Sequence, residues 1–186
     1  MVSMIKKISF CVLLGVSACY SQPALSMHDN HLKTINNAWF DLGIGGSNRG
    51  VTSQVSFSVQ KGIHLITIRH IYNTEFNIFG PSPSETVWDI SMLYGRSWKS
   101  KSAMVSISGG LGLVGGVRRG DYICSDGWFS SKYQKCPFST IGLPLDVQLI
   151  WMPFRFLGLG IQGFANLNSE KSFHGLVANL QIGRLR

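Results

Sequence analysis

Between residues 156 and 186, apolar side chains occupy every second position in two strand-length runs. Leu157, Leu159, Ile161 and Ala165 alternate with Gly158, Gly160, Gln162 and Asn166. Leu176, Ala178, Leu180 and Ile182 alternate with Gly175, Asn179, Gln181 and Gly183. A two-residue period sends successive side chains to opposite faces of a strand. The second face is not the Lys, Glu and Thr surface of a soluble sheet but a narrow set of Gly, Gln and Asn. That pairing predicts a barrel with lipid outside and a small polar interior.

The same reading predicts strands over residues 38–46, 51–60, 63–72, 86–98, 103–118, 141–151, 156–166 and 172–184. Most are near or above the 9–11 residues that a tilted strand needs to cross the hydrocarbon. Tight turns at 61–62, 99–101 and 152–155 alternate with a short turn at 47–50, long loops at 73–85 and 119–140, and a last loop at 167–171. Outer-membrane barrels have short periplasmic turns and longer external loops. The tight turns and both termini are therefore expected on the periplasmic side, with loop 119–140 at the cell surface. The fold class is all-β, an antiparallel eight-stranded transmembrane up-and-down barrel over residues 38–186.

Taking the aliphatic parity of each strand as outward also collects aromatics near strand ends. Phe40, Trp98 and Trp151 would form the periplasmic girdle, and Tyr72 and Trp88 the outer one. The opposite parity forms a lumen network of Asp41, Arg69, Asp89, Arg118, Asp146, Gln148 and Gln162, in which two arginines offset three carboxylates. Eight strands leave room for side chains rather than a wide channel. A soluble lipocalin-like barrel is the rival fold, and it requires the polar parity outside.

Composition agrees with a membrane. Only 14% of residues are charged, against roughly 25% in soluble domains. The formal charge is +8, yet no Lys/Arg run exceeds two residues, so no nucleic-acid partner is expected. Anionic lipid head groups, including lipopolysaccharide, are the expected use of these cations. Residues 1–26 read as an export signal: Lys6 and Lys7, an apolar stretch at 8–18, then Ala24-Leu25-Ser26. Val16-Ser17-Ala18-Cys19 is an alternative lipoprotein processing box. Residues 27–37 read as a linker. Cys124 and Cys136 are then the mature pair, expected as a disulfide across the outer loop, with a stabilisation of about 3 kcal/mol. No metal or other cofactor is expected, and the chain is expected to be a monomer.

At residues 38–186 the chain resembles the small eight-stranded outer-membrane barrels of the OmpA/OmpX type. Residues 153–186 look like the end of uncharacterised outer-membrane barrel proteins. That likeness rests on Phe154-Arg155-Phe156-Leu157-Gly158-Leu159-Gly160, Asn166-Leu167-Asn168, Ser172-Phe173 and Gln181-Ile182-Gly183. It implies the outer membrane of a Gram-negative-type bacterium and no particular activity. Such barrels often end in an aromatic residue, where this sequence has Leu185-Arg186.

Candidate chemistry is sparse. His70-Ile71-Tyr72-Asn73 has tyrosine where a lipid A deacylase carries its nucleophilic serine, so His70 reads as interfacial. Asp41, Asp89 and Asp146 read as structural ion-pair partners rather than a catalytic cluster. His28-Asp29-Asn30-His31 reads as solvated linker. Gly109-Gly110-Leu111-Gly112 lacks the Lys-Ser/Thr of a phosphate loop. The best binding site is the outer loop, with Tyr122, Trp128, Phe129, Lys132, Tyr133 and Lys135, suited to sugars, lipopolysaccharide or a surface protein. The function expected is a non-catalytic structural or surface-interaction barrel. The alternatives are a narrow channel or transport accessory and an outer-membrane lipid-modifying enzyme.

Overall fold

The structure, a computed structural model, describes residues 37–75, 84–125 and 131–185, without the side chains of 122–133. The export signal and nearly all of the linker lie outside the described residues. Eight strands follow one another: β1 (Asn37–Ser47), β2 (Gly50–Lys61), β3 (His64–Thr74), β4 (Thr86–Lys99), β5 (Ala103–Ser125), β6 (Ser131–Trp151), β7 (Leu157–Asn168) and β8 (Phe173–Arg184). Each pairs antiparallel with the next, and β1 pairs with β8 through rungs from Ala38↔Arg184 to Ser47↔Gly175. Within the barrel wall, closure pairs both edges of every strand, which is what lets backbone amides cross a hydrocarbon layer.

Side-chain alternation is inverted relative to a soluble sheet. In β2, Thr52, Gln54, Ser56, Ser58 and Gln60 are buried, while Val51, Val55 and Phe57 are exposed. The same holds around the ring, with Leu42, Ile68, Met92, Leu111, Val147, Ile161 and Leu176 all facing out. The lipocalin-like alternative is thereby excluded, because the polar parity lies inside.

Turn chemistry fixes the hairpins. Lys61 pairs with His64, leaving Gly62-Ile63 as a two-residue loop, and Gly62 sits at φ 64°. Positive φ at the first loop position is the hairpin geometry that glycine supplies without a steric penalty.

The expected loop over 119–140 is corrected. Strands β5 and β6 continue as a two-stranded ribbon, pairing Arg118 with Cys136, Tyr122 with Tyr133 and Ser125 with Ser131, with bulges on either side of Tyr122. The last β4–β5 rung is Thr86↔Val117, so β5 runs about 25 Å further along its own axis. Pro137 hid this continuity in the sequence, whereas Pro144 falls inside the strand expected over 141–151. Pro137 lies in the projecting ribbon opposite Val117, and the β5–β6 ladder skips the rung at Pro144, where no N–H is available to donate.

Candidate functional site

Midway along the barrel, inward positions of β3, β4 and β6 bring Arg69, Asp89 and Asp146 together. Arg69 Nη2 donates to Asp89 Oδ2 at 2.9 Å, and Nη1 donates to Asp146 Oδ1, with all three side chains withdrawn from solvent. Asn166 Nδ2 also donates to Asp89 Oδ2, at 2.6 Å. One layer away, Gln162 Oε1 accepts from Gln54 Nε2 at 2.6 Å, Gln148 Nε2 at 2.9 Å and Asn179 Nδ2 at 2.7 Å. Asp41 accepts from Ser56 Oγ at 3.0 Å and lies opposite Gln181 on β8. Small hydroxyls and amides are what eight strands can accommodate around one guanidinium.

Two apolar layers enclose this polar one. At the end that carries both termini, Trp39, Leu65, Met104, Ile150, Met152 and Leu185 form a buried cluster. At the other end Ile71, Val87, Val114, Phe164, Phe173 and Val177 form a second. The Phe164 and Phe173 rings meet at 6.2 Å between centroids, tilted by 60°. These residues are at most 3% exposed, so both ends of the described lumen are packed with apolar side chains. Both faces of the third strand read as largely apolar in the sequence, but the inward parity as a whole reads as polar and predicts neither layer. The signal was present: Trp39 lies two positions from Asp41, Leu65 two from Thr67, and Ile150 two from Gln148.

The lumen network therefore holds Asp41, Arg69, Asp89, Asp146, Gln148 and Gln162, but not Arg118. Arg118 is exposed at the rim, 3.5 Å from Glu170. Its neighbours form further ion pairs: Arg119 with Glu75, and Lys171 with Glu85. Burial pushes the Glu85 carboxyl up. Hydrogen bonds from Lys171 and the Arg119 backbone, with the charges of both residues, outweigh burial and hold it below its ordinary value of 4.5. These contacts tie the ends of the β3–β4, β5–β6 and β7–β8 connections together.

The aromatics divide as follows. Phe40, Trp98, Trp151 and Tyr72 face outward. Trp88 is half-buried: it pairs across the ladder with Gly115, and its ring occupies the space where a Gly115 side chain would stand. His70 also faces outward, with Nδ1 3.0 Å from the Asp89 carbonyl oxygen. Ile90 and Val55 are its ladder neighbours. No hydroxyl nucleophile among the described residues is hydrogen-bonded to His70. Among the described residues, no three His, Cys, Asp or Glu side chains converge to hold a metal.

In the projecting ribbon, Gln134 and Lys135 are exposed. Tyr122, Lys132 and Tyr133 are placed by backbone pairing alone, and Trp128 and Phe129 lie outside the described residues. The structure does not show the expected Cys124–Cys136 disulfide. Cys124 pairs with Lys132, whereas Cys136 pairs with Arg118. Four strand residues separate the two rungs, roughly 13 Å, where a disulfide needs Cα atoms within about 7 Å. Cys136 is a free, half-buried thiol. Treating 119–140 as an irregular loop made twelve residues look like an easily closed ring. A β-ribbon removes that freedom.

A closed antiparallel ring of eight strands, apolar outside and polar at its centre, defines the class: this chain has the OmpA/OmpX-like fold of small outer-membrane barrels. It is similar to the N-terminal barrel domain of Pseudomonas aeruginosa OprF, with TM-score 0.60, 8% identity, and 80% of this chain and 98% of that one covered. Neisserial surface protein A matches with TM-score 0.54 and 11% identity, covering 78% of this chain and 94% of that one. Ail, the attachment invasion locus protein of Yersinia pestis, matches with TM-score 0.55 and 10% identity, covering 81% and 99%. Ail is also known in complex with the heparin analogue sucrose octasulfate; that structure matches at TM-score 0.51 and 6% identity, covering 79% and 96%. No protein-family model and no curated protein matches the sequence.

Proposed function

We propose that the chain is a non-catalytic barrel of a Gram-negative-type outer membrane that engages a ligand outside the cell through the β5–β6 ribbon. The ribbon carries this reading. It is the one pair of described strands that continues well past its neighbours, and Tyr122, Lys132, Tyr133 and Lys135 belong to its rungs beyond Val117. Trp128 and Phe129 fall in the sequence between its two strands. Aromatic faces beside ammonium groups suit sugar rings that carry phosphate or sulfate. The short hairpin ends and both termini then face the periplasm. Two apolar layers across the lumen weigh against conduction, and the absence of an assembled nucleophile and base at His70 weighs against lipid hydrolysis.

The test uses the full mature chain refolded into nanodiscs, with lipopolysaccharide and heparin as probes. Binding is expected for at least one of them. The variant Tyr122→Ala/Lys132→Ala/Lys135→Ala should weaken it at least about tenfold while keeping the heat-dependent gel shift of a folded barrel. Unchanged affinity in the folded variant overturns the ribbon as the binding element. A soluble periplasmic protein without a heat shift overturns the membrane reading itself.

A further inference from the structure

The two rims of the barrel differ in charge in a way the ribbon does not explain. At the ribbon end, Arg118, Arg119 and Lys171 each pair with a carboxylate of the same rim, and Arg49 donates to the Ser172 carbonyl. At the opposite end, where the chain enters and leaves the barrel, Lys61, Arg96, Lys99, Lys101, Arg155 and Arg184 are all exposed. No Asp or Glu among the described residues stands at that rim. Lys99 donates to the Leu185 carbonyl.

Depth decides what these cations meet. Arg96 shares the outward parity of β4 with exposed Tyr94 and Trp98, lying between them. Arg155 stands between exposed Phe154 and Phe156, whose rings stack at 5.8 Å. Arg184 follows Leu180 and Ile182 along the outward face of β8. Exposed aromatic rings beside an apolar belt lie at head-group level in a bilayer. Arg96 and Arg155 are interleaved with such rings and share that level, and Arg184 stands at the end of the apolar face of β8. A soluble partner or cell-wall polymer would instead need its cations past the aromatic belt.

We propose that this rim is an arginine-led collar that gathers anionic phospholipids around the barrel, through their phosphates, in the leaflet it faces. The collar rests on the membrane reading above, and on the loop-length orientation it faces the periplasmic leaflet. Long side chains can lay their stems along the belt while the cationic heads reach phosphate. Among the described residues no Asp or Glu stands at this rim, and the counter-charge assigned to Arg96, Arg155 and Arg184 is lipid phosphate. Arginine's planar fork also suits two phosphate oxygens at once.

The test refolds the full mature chain into nanodiscs of mixed phosphatidylglycerol and phosphatidylcholine and measures retained lipid by native mass spectrometry. Wild type should retain phosphatidylglycerol in excess of its share. Each surface cation contributes about a fivefold preference. The variant Arg96→Gln/Arg155→Gln/Arg184→Gln should therefore lose at least about tenfold of that enrichment. A heat-shift gel keeps only folded variants, and Arg96→Lys/Arg155→Lys/Arg184→Lys should retain part of the effect. Insertion with no phosphatidylglycerol preference, or a folded Gln variant as enriched as wild type, overturns the collar alone. Failure to insert into any bilayer overturns the collar and the membrane reading together.

Discussion

Replacing Arg69 by Met keeps the length of the side chain and removes the positive charge at the centre of the barrel. Asp89, Asp146 and Asp41 are all buried in the lumen, and Arg69 is the one buried Arg or Lys among the described residues. Asp89 and Asp146 each accept a guanidinium N–H in the native protein. Removing one member of a buried, hydrogen-bonded ion pair costs about 3–5 kcal/mol, because the carboxylate left behind is neither hydrated nor paired. Here two carboxylates lose the same partner, so Arg69→Met is expected at the upper end of that range. The triple variant Arg69→Met/Asp89→Asn/Asp146→Asn should recover most of the loss. It leaves neutral side chains at 69, 89 and 146, and Asn166 still has a carbonyl oxygen to meet at position 89. Replacing a whole buried pair by neutral groups is often close to isoenergetic. Urea unfolding of the refolded barrel in phospholipid vesicles, followed by tryptophan fluorescence, measures both. The reasoning is refuted if Arg69→Met costs less than about 1 kcal/mol, or if the triple variant is no more stable than the single one.

Four further outcomes follow from the same geometry. Leu111, 64% exposed and paired with Met92 near mid-strand, faces lipid, so Leu111→Arg should cost about 2–4 kcal/mol while Ile63→Arg at the turn costs about 0–1; equal effects in vesicle unfolding contradict a lipid-facing belt. A side chain at Gly115 would begin 2.5 Å from Trp88 Cζ2; Gly115→Ala should cost about 1–3 kcal/mol and much less in a Trp88→Ala background, as a double-mutant cycle would read. Glu85 is held below 4.5 by Lys171 and Arg119 against its burial, so its contribution is complete above that value and disappears as pH falls through the folded pKa. From about pH 5 to about pH 3 the wild type should lose more thermal stability than Glu85→Gln, and parallel curves would contradict it. Because Cys136 is a free thiol, the unfolded mature chain should migrate identically with and without reductant, and a reductant-dependent shift would restore the disulfide.

The parts of the fold legible in the sequence are those where the two-residue period decides the energy. Position 54 or 162 tolerates only a polar, lumen-sized side chain, whereas 111 or 161 tolerates only an apolar one, so parity alone separates inside from outside. Parity could not say how the interior changes along its axis. Trp39 and Phe173 occupy inward positions because the lumen must be closed off from water at both mouths, and that requirement appears only when eight strands are set side by side. Nor could it place Arg118. Strand alternation assigns it a face, but where the β4–β5 ladder stops depends on the length of β4, which ends the shared wall at Val117. The ribbon was lost for a related reason. Proline, tyrosine, lysine and cysteine at 132–138 read as loop chemistry, whereas an isolated two-stranded extension can hold them because at least one of its edges is free to accept a residue without an N–H.

The layering of the interior also constrains how the barrel can assemble. A polar layer between two apolar layers cannot form piecemeal within lipid, since Asp89 and Asp146 stay uncompensated until β3 meets β4 and β6 has joined β5. Isolated polar strand faces in hydrocarbon cost several kcal/mol per unsatisfied group. Ring closure at β1–β8, which brings Gln181 across from Asp41, is therefore coupled to the central network rather than independent of it. Substitutions at Arg69 should then lower the yield of inserted barrel as well as its stability. Substitutions in the ribbon, which pairs only with itself beyond Val117, should leave insertion untouched.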